Sequence, residues 1–397
     1  MSTKMNGYMD EQMRKRNASL LLQSMIVITM TTSIWLWFTS WRYRYAITIP
    51  LSLLMFIVVA WEVRKHLTLQ DGFVGLVLGF LFLYPRFVTY PGSATGFYTL
   101  HVILVSFALG MSFRYLQVNN WTFRLLAAFV LLPFLYSMLV LRINVDNSFF
   151  AMNRNSPPLY LISIKSLLAL NEKLSAKKWL TVTPSFLTVW VAWYSRSRAG
   201  LVVAIWLAGI LVVHNILIIG SSYWKKATKT QRFFLAGAVV LLSLVFIAII
   251  TRLIKTSRFA SVGFSSNGRL EIWKSYLSAV DIKSLLIGYA PESAPDIGMH
   301  NSYLYMTSTY GMISIIFFVG TAVALHRLKK VSWFYVMLMG IWLIYSLAED
   351  VLPFSYGLFV FLPLLMLAFP PKRLNQTIWT LVHHGRRVDN LRGEIRV

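Results

Sequence analysis

Long apolar runs separated by short polar connectors dominate the chain. Such runs occur at about 20–39, 46–61, 72–84, 98–113, 123–141, 157–171, 179–194, 199–219, 233–254, 303–325, 332–348 and 351–369. Neither strict alternation nor a one-sided helical stripe describes them. They are apolar on every face, the pattern of helices that cross a hydrocarbon core ~30 Å thick. Twelve candidate spans follow, of which the third, fourth, sixth and seventh are short. The organisation predicted is helices one to nine over 1–254, a large polar loop over 255–300, helices ten to twelve over 301–369, and a basic tail over 370–397.

Composition agrees with this pattern. The 397 residues are 57% hydrophobic and 13% charged, with a mean hydropathy of +0.62, whereas a soluble domain carries roughly 25% charged residues. An all-α polytopic membrane protein is the class that remains. The first run follows basic residues as a signal peptide would, but it is long and has no clear small-residue cleavage site, so it reads as a retained anchor.

Charge orients the spans. With the N-terminus in the cytoplasm, alternate loops carry Arg64 and Lys65, Arg114 and Arg124, Lys173, Lys177 and Lys178, then Lys225, Lys226, Lys229 and Arg232, and finally Arg327, Lys329 and Lys330. With the N-terminal segment and the tail these are 24 of the 38 basic residues, so both termini fall inside. Much of the net charge of +24 is thereby topology and attraction to anionic lipid. Scattered over short loops, it does not read as a nucleic-acid surface. No cysteine occurs, which excludes disulfides, thiol nucleophiles and thiolate metal sites.

The basic residues assigned to the outer side differ in kind. Ten are arginines (Arg42, Arg44, Arg86, Arg142, Arg154, Arg196, Arg198, Arg252, Arg258 and Arg269), against Lys255, Lys274 and Lys283. Arginine on the face where positive charge is disfavoured asks for a reason, and its planar fork suits bidentate recognition of phosphate. Arg42, Arg44 and Arg86 read as side chains reaching lipid headgroups. Two outer loops are long: 142–156 and 255–300. The second is read as one or two short amphipathic helices on the outer face, closed by a loop rich in Pro and Gly.

Three motifs share that face. "YSRSRAGL" sets Arg196 and Arg198 at the mouth of a helix, "NGRLEIW" starts an amphipathic helix at Arg269, and "HNSYLYMTSTYG" sets His300 and Asn301 just before the next apolar run. In this order, the set resembles the O-antigen ligase and polymerase superfamily of bacterial envelope glycosyltransferases. The match consists of Ser197-Arg198, of Gly268-Arg269 with Trp273, and of His300-Asn301 with Gly311. It covers about 150–330 in motif and the whole chain in topology. Ser314 departs from the ligase pattern, where Gly, Thr or Tyr is common, and leaves ligase against polymerase open.

The resemblance implies a GT-C-like membrane fold and an O-antigen ligase, with a polymerase as the runner-up. The donor would be an undecaprenyl-pyrophosphate-linked glycan. The acceptor would be a sugar hydroxyl of lipid A-core for a ligase, or of another lipid-linked repeat for a polymerase. Arg198 and Arg269 would bind the pyrophosphate as a positioned electrostatic clamp. His300 would be the catalytic base, its neutral form favoured by nearby arginines. With no Asp-x-Asp pair and no His-Glu-x-x-His motif, a metal-independent, inverting transfer without cofactor is expected. It would take place on the periplasmic face of the inner membrane, with a polysaccharide chain-length regulator as a candidate partner.

Other residues carry weaker expectations. Arg154, Arg196, Asn301, Tyr303 and Asp350 are candidate substrate contacts. Glu349 and Asp350 are read first as ion-pair partners of an outer arginine, Lys165 as a side chain reaching out of a tilted span, and His101 and His214 as packing residues. The rival class, a lipid-linked glycan transporter, would show mid-membrane acids, inverted repeats or helices broken by Gly or Pro.

Overall fold

The computed structural model describes residues 17–39, 44–69, 94–140, 156–175, 179–224, 248–257, 269–288, 301–349 and 356–369, with isolated positions between them. Among the described residues the fold is helical. The one β-type pairing is an isolated bridge between Asn17 and Gln117.

Seven named helices come first in the chain. They are α1 (Leu20–Thr39), α2 (Arg44–Val63), α3 (Ala94–Tyr115), α4 (Asn120–Leu139), α5 (Ser156–Leu174), α6 (Thr183–Tyr194) and α7 (Arg198–Trp224). The second and third lie parallel, with Tyr45 by Phe97, Ser52 by His101 and Phe56 by Phe107. Six follow: α8 (Arg269–Ala279), α9 (Ile282–Ile287), α10 (Ser302–Tyr310), α11 (Ile313–Val331), α12 (Trp333–Ala348) and α13 (Leu358–Ala368). Arg44–Val63, Phe97–Tyr115 and Arg198–Ile218 are long and apolar enough to cross a membrane, and the apolar stretches of α1, α4, α12 and α13 are shorter.

The short run at 157–171 becomes α5, and it sits at the centre. Most of its residues are buried on every face, and it packs on α4, α6, α7 and α13. Its buried polar residues find partners inside the protein, Lys165 and Glu172 at Thr181 and Asn171 at Val118 and Asn120.

The predicted span 303–325 is not one helix. It divides into α10 and α11 at Gly311, which adopts a φ of 51°. In a straight helix Tyr303 and Phe318 would lie ~22 Å apart along the axis. Their rings are instead 5.7 Å apart, so the chain turns back at Gly311. Glycine is required there, because a Cβ would lie 2.6 Å from the backbone nitrogen of Gly288. Gly288 itself has a φ of 78°, and its own Cβ would meet the Thr309 carbonyl oxygen at 2.5 Å. Two glycines thus press the end of α9 directly onto the α10–α11 turn.

The two ends of the bundle can be told apart. At one, Asn215 on α7 exchanges hydrogen bonds with the backbone of Leu180, and the His214 ring lies tilted, 5.3 Å from Phe334 at the start of α12. Arg114 joins Asp71 to the Phe369 carbonyl, and Arg327 covers the Phe369 ring. Counting ~1.5 Å per residue back along α7 from His214 and forward along α12 from Phe334, Arg198 and Ala348 both come to the opposite end. The helix-opening motif residues Arg198, Arg269 and Asn301 therefore share one end of the molecule.

Candidate functional site

The turn between α6 and α7 is three residues long and tightly determined. Ser195 caps α6, Arg196 takes a φ of 53°, and Ser197 begins α7. The Ser197 hydroxyl accepts a hydrogen bond from the Gly200 amide at 3.2 Å, which is the work of an N-cap. Gly200 lets α7 approach α5, since a Cβ there would lie 2.7 Å from the Pro158 side chain. Arg198 follows at the first turn of α7. The helix N-terminus already carries partial positive charge, so a guanidinium added there raises the local potential and suits the position to an anion.

Arg269 opens α8 and reaches the end of α12. Its guanidinium donates to the Ala348 carbonyl at 2.5 Å and to Glu349 Oε1 at 3.0 Å. The expected pairing of Glu349 with an outer arginine is thus met by Arg269. Two of Arg269's donors are already engaged in holding α8 to α12. Its side chain stays 23% exposed.

Asn301 caps α10 by accepting from the amides of Tyr303 and Leu304 at 3.0 and 3.2 Å. Its amide nitrogen turns to the Leu347 carbonyl at 3.4 Å. Ser302 donates to the Glu349 carbonyl at 2.8 Å, and the Tyr303 hydroxyl to the Leu343 carbonyl at 2.8 Å. The last carbonyls of a helix have no partner within it. Here Arg269 and Asn301 supply such partners for the Ala348 and Leu347 carbonyls, Ser302 serves the cap residue Glu349, and Tyr303 adds a bond one turn further in. Tyr276 on α8 adds a hydrogen bond with Ser308 on α10. Burial pushes the Tyr276 phenol above its ordinary pKa, and the Ser308 contact opposes that rise.

The structure brings Arg269, Asn301 and Tyr303 together around the end of α12, with Arg196 and Arg198 at the same end of the neighbouring α7. His300, Arg154 and Asp350 lie outside the described residues. Ser302 and Gly288 escaped the sequence reading although each carried a signal: a serine directly after a capping Asn, and a glycine directly after the apolar helix "IKSLLI".

Arg44 departs from its expected place at the headgroups. It is 3% exposed, donates to the Tyr45 hydroxyl at 2.6 Å and lies 4.6 Å over the Tyr45 ring. Its charge also reaches Tyr98, Tyr160 and Tyr356, whose rings pack on one another at 4.4 and 6.4 Å. Lys165 departs similarly: 1% exposed, it extends inside the protein to the Thr181 carbonyl rather than out to lipid. His101 and His214 pack as expected, His101 edge-on to Phe359 with Nδ1 against Ser52.

No protein-family model matches the chain, and comparison with curated proteins and with solved structures gives no match either.

Proposed function

We propose that the chain is a polytopic inner-membrane glycosyltransferase of the O-antigen ligase type, with about twelve spans and its reacting end in the periplasm. It moves a glycan from undecaprenyl pyrophosphate to a sugar hydroxyl of lipid A-core. The observation that carries this reading is that Ser197-Arg198, Arg269 and Asn301, which stand apart in sequence, each open a helix at the same end of one bundle. Transfer from a pyrophosphate develops negative charge on the leaving group, and positioned arginines stabilise it. Arg198 is assigned to that charge. Arg269 braces α12 and turns its remaining donors to the donor phosphates. His300, next to the anchored Asn301, accepts the acceptor's proton as the glycosidic bond forms and the pyrophosphate departs.

A transporter reading draws on the break at Gly311. That break lies by the end of α12 rather than at mid-bundle, where transporter sites are built, so it gives transport little support. Gene deletion tests the proposal. Long polymer accumulating on the carrier lipid supports a ligase, and lipopolysaccharide bearing a single repeat supports a polymerase of the same superfamily. An unchanged lipid-linked pool with fully capped lipopolysaccharide sinks both.

A further inference from the structure

The short helices α8 and α9 present an apolar face that the bundle does not cover. On α9, Ile282, Leu285 and Leu286 stand at i, i+3 and i+4, so they share a face, and all three are exposed, Ile282 at 78%. On α8, Leu270 and Leu277 are seven residues apart, project in nearly the same direction and are both exposed. Glu271, Ser275 and Ser278 form a separate, polar exposed stripe on α8, while Tyr276 holds the helix to the bundle.

What covers the apolar face is indicated by its continuation. Met312, Ile315, Ile316 and Val319 form one exposed stripe along the first two turns of α11, within the apolar run at 303–325. The end of α9 is fixed against the start of that stripe by the Gly288–Gly311 contact and by the Met312 amide, which bonds the Leu286 carbonyl at 3.4 Å. Leu285 and Leu286 therefore extend the apolar surface of α11 rather than standing apart from it. Lys274 is exposed beside the Leu270–Leu277 stripe, a placement that sends its ammonium to phosphate headgroups while its stem runs along the acyl boundary.

We infer that α8 and α9 are seated in the lipid interface, with Leu270, Leu277, Ile282, Leu285 and Leu286 in the acyl region of the leaflet at the motif end. Interfacial helices of this kind bind through buried apolar area and headgroup charge. The seat sets the depth of Arg269, because α8 begins at that residue. It holds whatever reaction the motif end performs.

The absence of cysteine makes the test direct. Single variants Leu277→Cys, Ile282→Cys and Leu286→Cys are spin-labelled in the full-length protein in liposomes, beside Glu271→Cys and Ser278→Cys on the polar stripe and Ile316→Cys as the reference on α11. Collision rates with oxygen, which concentrates in lipid, are compared with those of a water-soluble nickel chelate. The expected result is that the three apolar sites match Ile316→Cys, favouring oxygen severalfold, while the two polar sites favour the chelate. Equal chelate access at apolar and polar sites places the helices in water and overturns the inference. Shielding of the apolar sites from both reagents means that a second protein surface covers them, and it overturns the inference equally.

Discussion

The two ends of the bundle handle charge in opposite ways. At the end bearing the α4 start and the α5 end, cations and acids are matched inside the protein. Asp71 takes Arg114, the Tyr115 hydroxyl at 2.5 Å and the Thr68 amide at 2.9 Å. Glu172, with no exposure, takes Arg124 at 3.4 Å together with the amide and hydroxyl of Thr181. At the motif end Glu349 is partnered by Arg269, and Arg196 and Arg198 lie two residues apart where α7 begins. One end uses charge to close itself. The other places arginine where a helix dipole already makes the potential positive, which favours negative charge nearby.

The contrast breaks most decisively at the reacting groups. His300→Ala is expected to remove the proton acceptor and lower transfer roughly 100- to 10,000-fold. Arg198→Ala is expected to cost roughly 100- to 1,000-fold, with Arg198→Lys recovering part of it. Capped lipopolysaccharide in a deletion strain, at matched expression, is the readout. Full activity of Arg198→Ala leaves the motif end no different in kind from the other.

The buried carboxylate at the opposite end sharpens the comparison from the other side. Glu172→Ala leaves the Thr181 amide and hydroxyl without their acceptor, and a stranded donor costs about 1–3 kcal/mol, whereas the part from Arg124, 34% exposed, is small because solvent screens it. A clear fall in thermal stability in detergent is expected, with activity per folded molecule unchanged. A variant that keeps its stability but loses activity would move chemistry to the end assigned to structure.

Much of this was legible in the chain. The apolar runs foretold a helical bundle, and the arginine bias singled out one end before any helix was packed. The failures share a cause. Periodicity reports how apolar a segment is, not whether it stays straight, so 303–325 read as one span when the fit of Gly288 against Gly311 turns it back. Arg44 read as a headgroup contact because sequence position gives a residue's depth along the bundle but not its direction. It is buried against Tyr45 instead, and that is known only after packing. The brace that Arg269 forms with Ala348 was not legible for the same reason, because the carbonyl it meets lies some eighty residues further on.

The glycine turn gives an intermediate effect. Gly311→Ala forces a side chain onto a φ of 51° and against the Gly288 nitrogen and the Leu285 carbonyl at 2.6 and 2.8 Å. Strain of this type costs on the order of 1–3 kcal/mol. Proteolysis should open the motif end at lower temperature while the Glu172 end stays protected. Equal loosening of both ends would show that they fold as one unit, and the comparison would then describe charge without local stability.

The smallest effect is expected at the Arg269–Glu349 pair, where the two roles of an arginine meet. Because Arg269 is partly exposed, solvent screens the pair, and the coupling in a double-mutant cycle with Glu349→Gln is expected at about 1 kcal/mol or less. Activity separates the roles. If Arg269 serves only as a brace, Arg269→Lys and Glu349→Gln should lower activity alike, each by loosening α8 from α12. If its remaining donors also meet phosphate, Arg269→Lys should lose more activity than Glu349→Gln at equal stability. The proposed function predicts the second outcome, because Glu349→Gln leaves the guanidinium in place and still bonded to the Ala348 carbonyl.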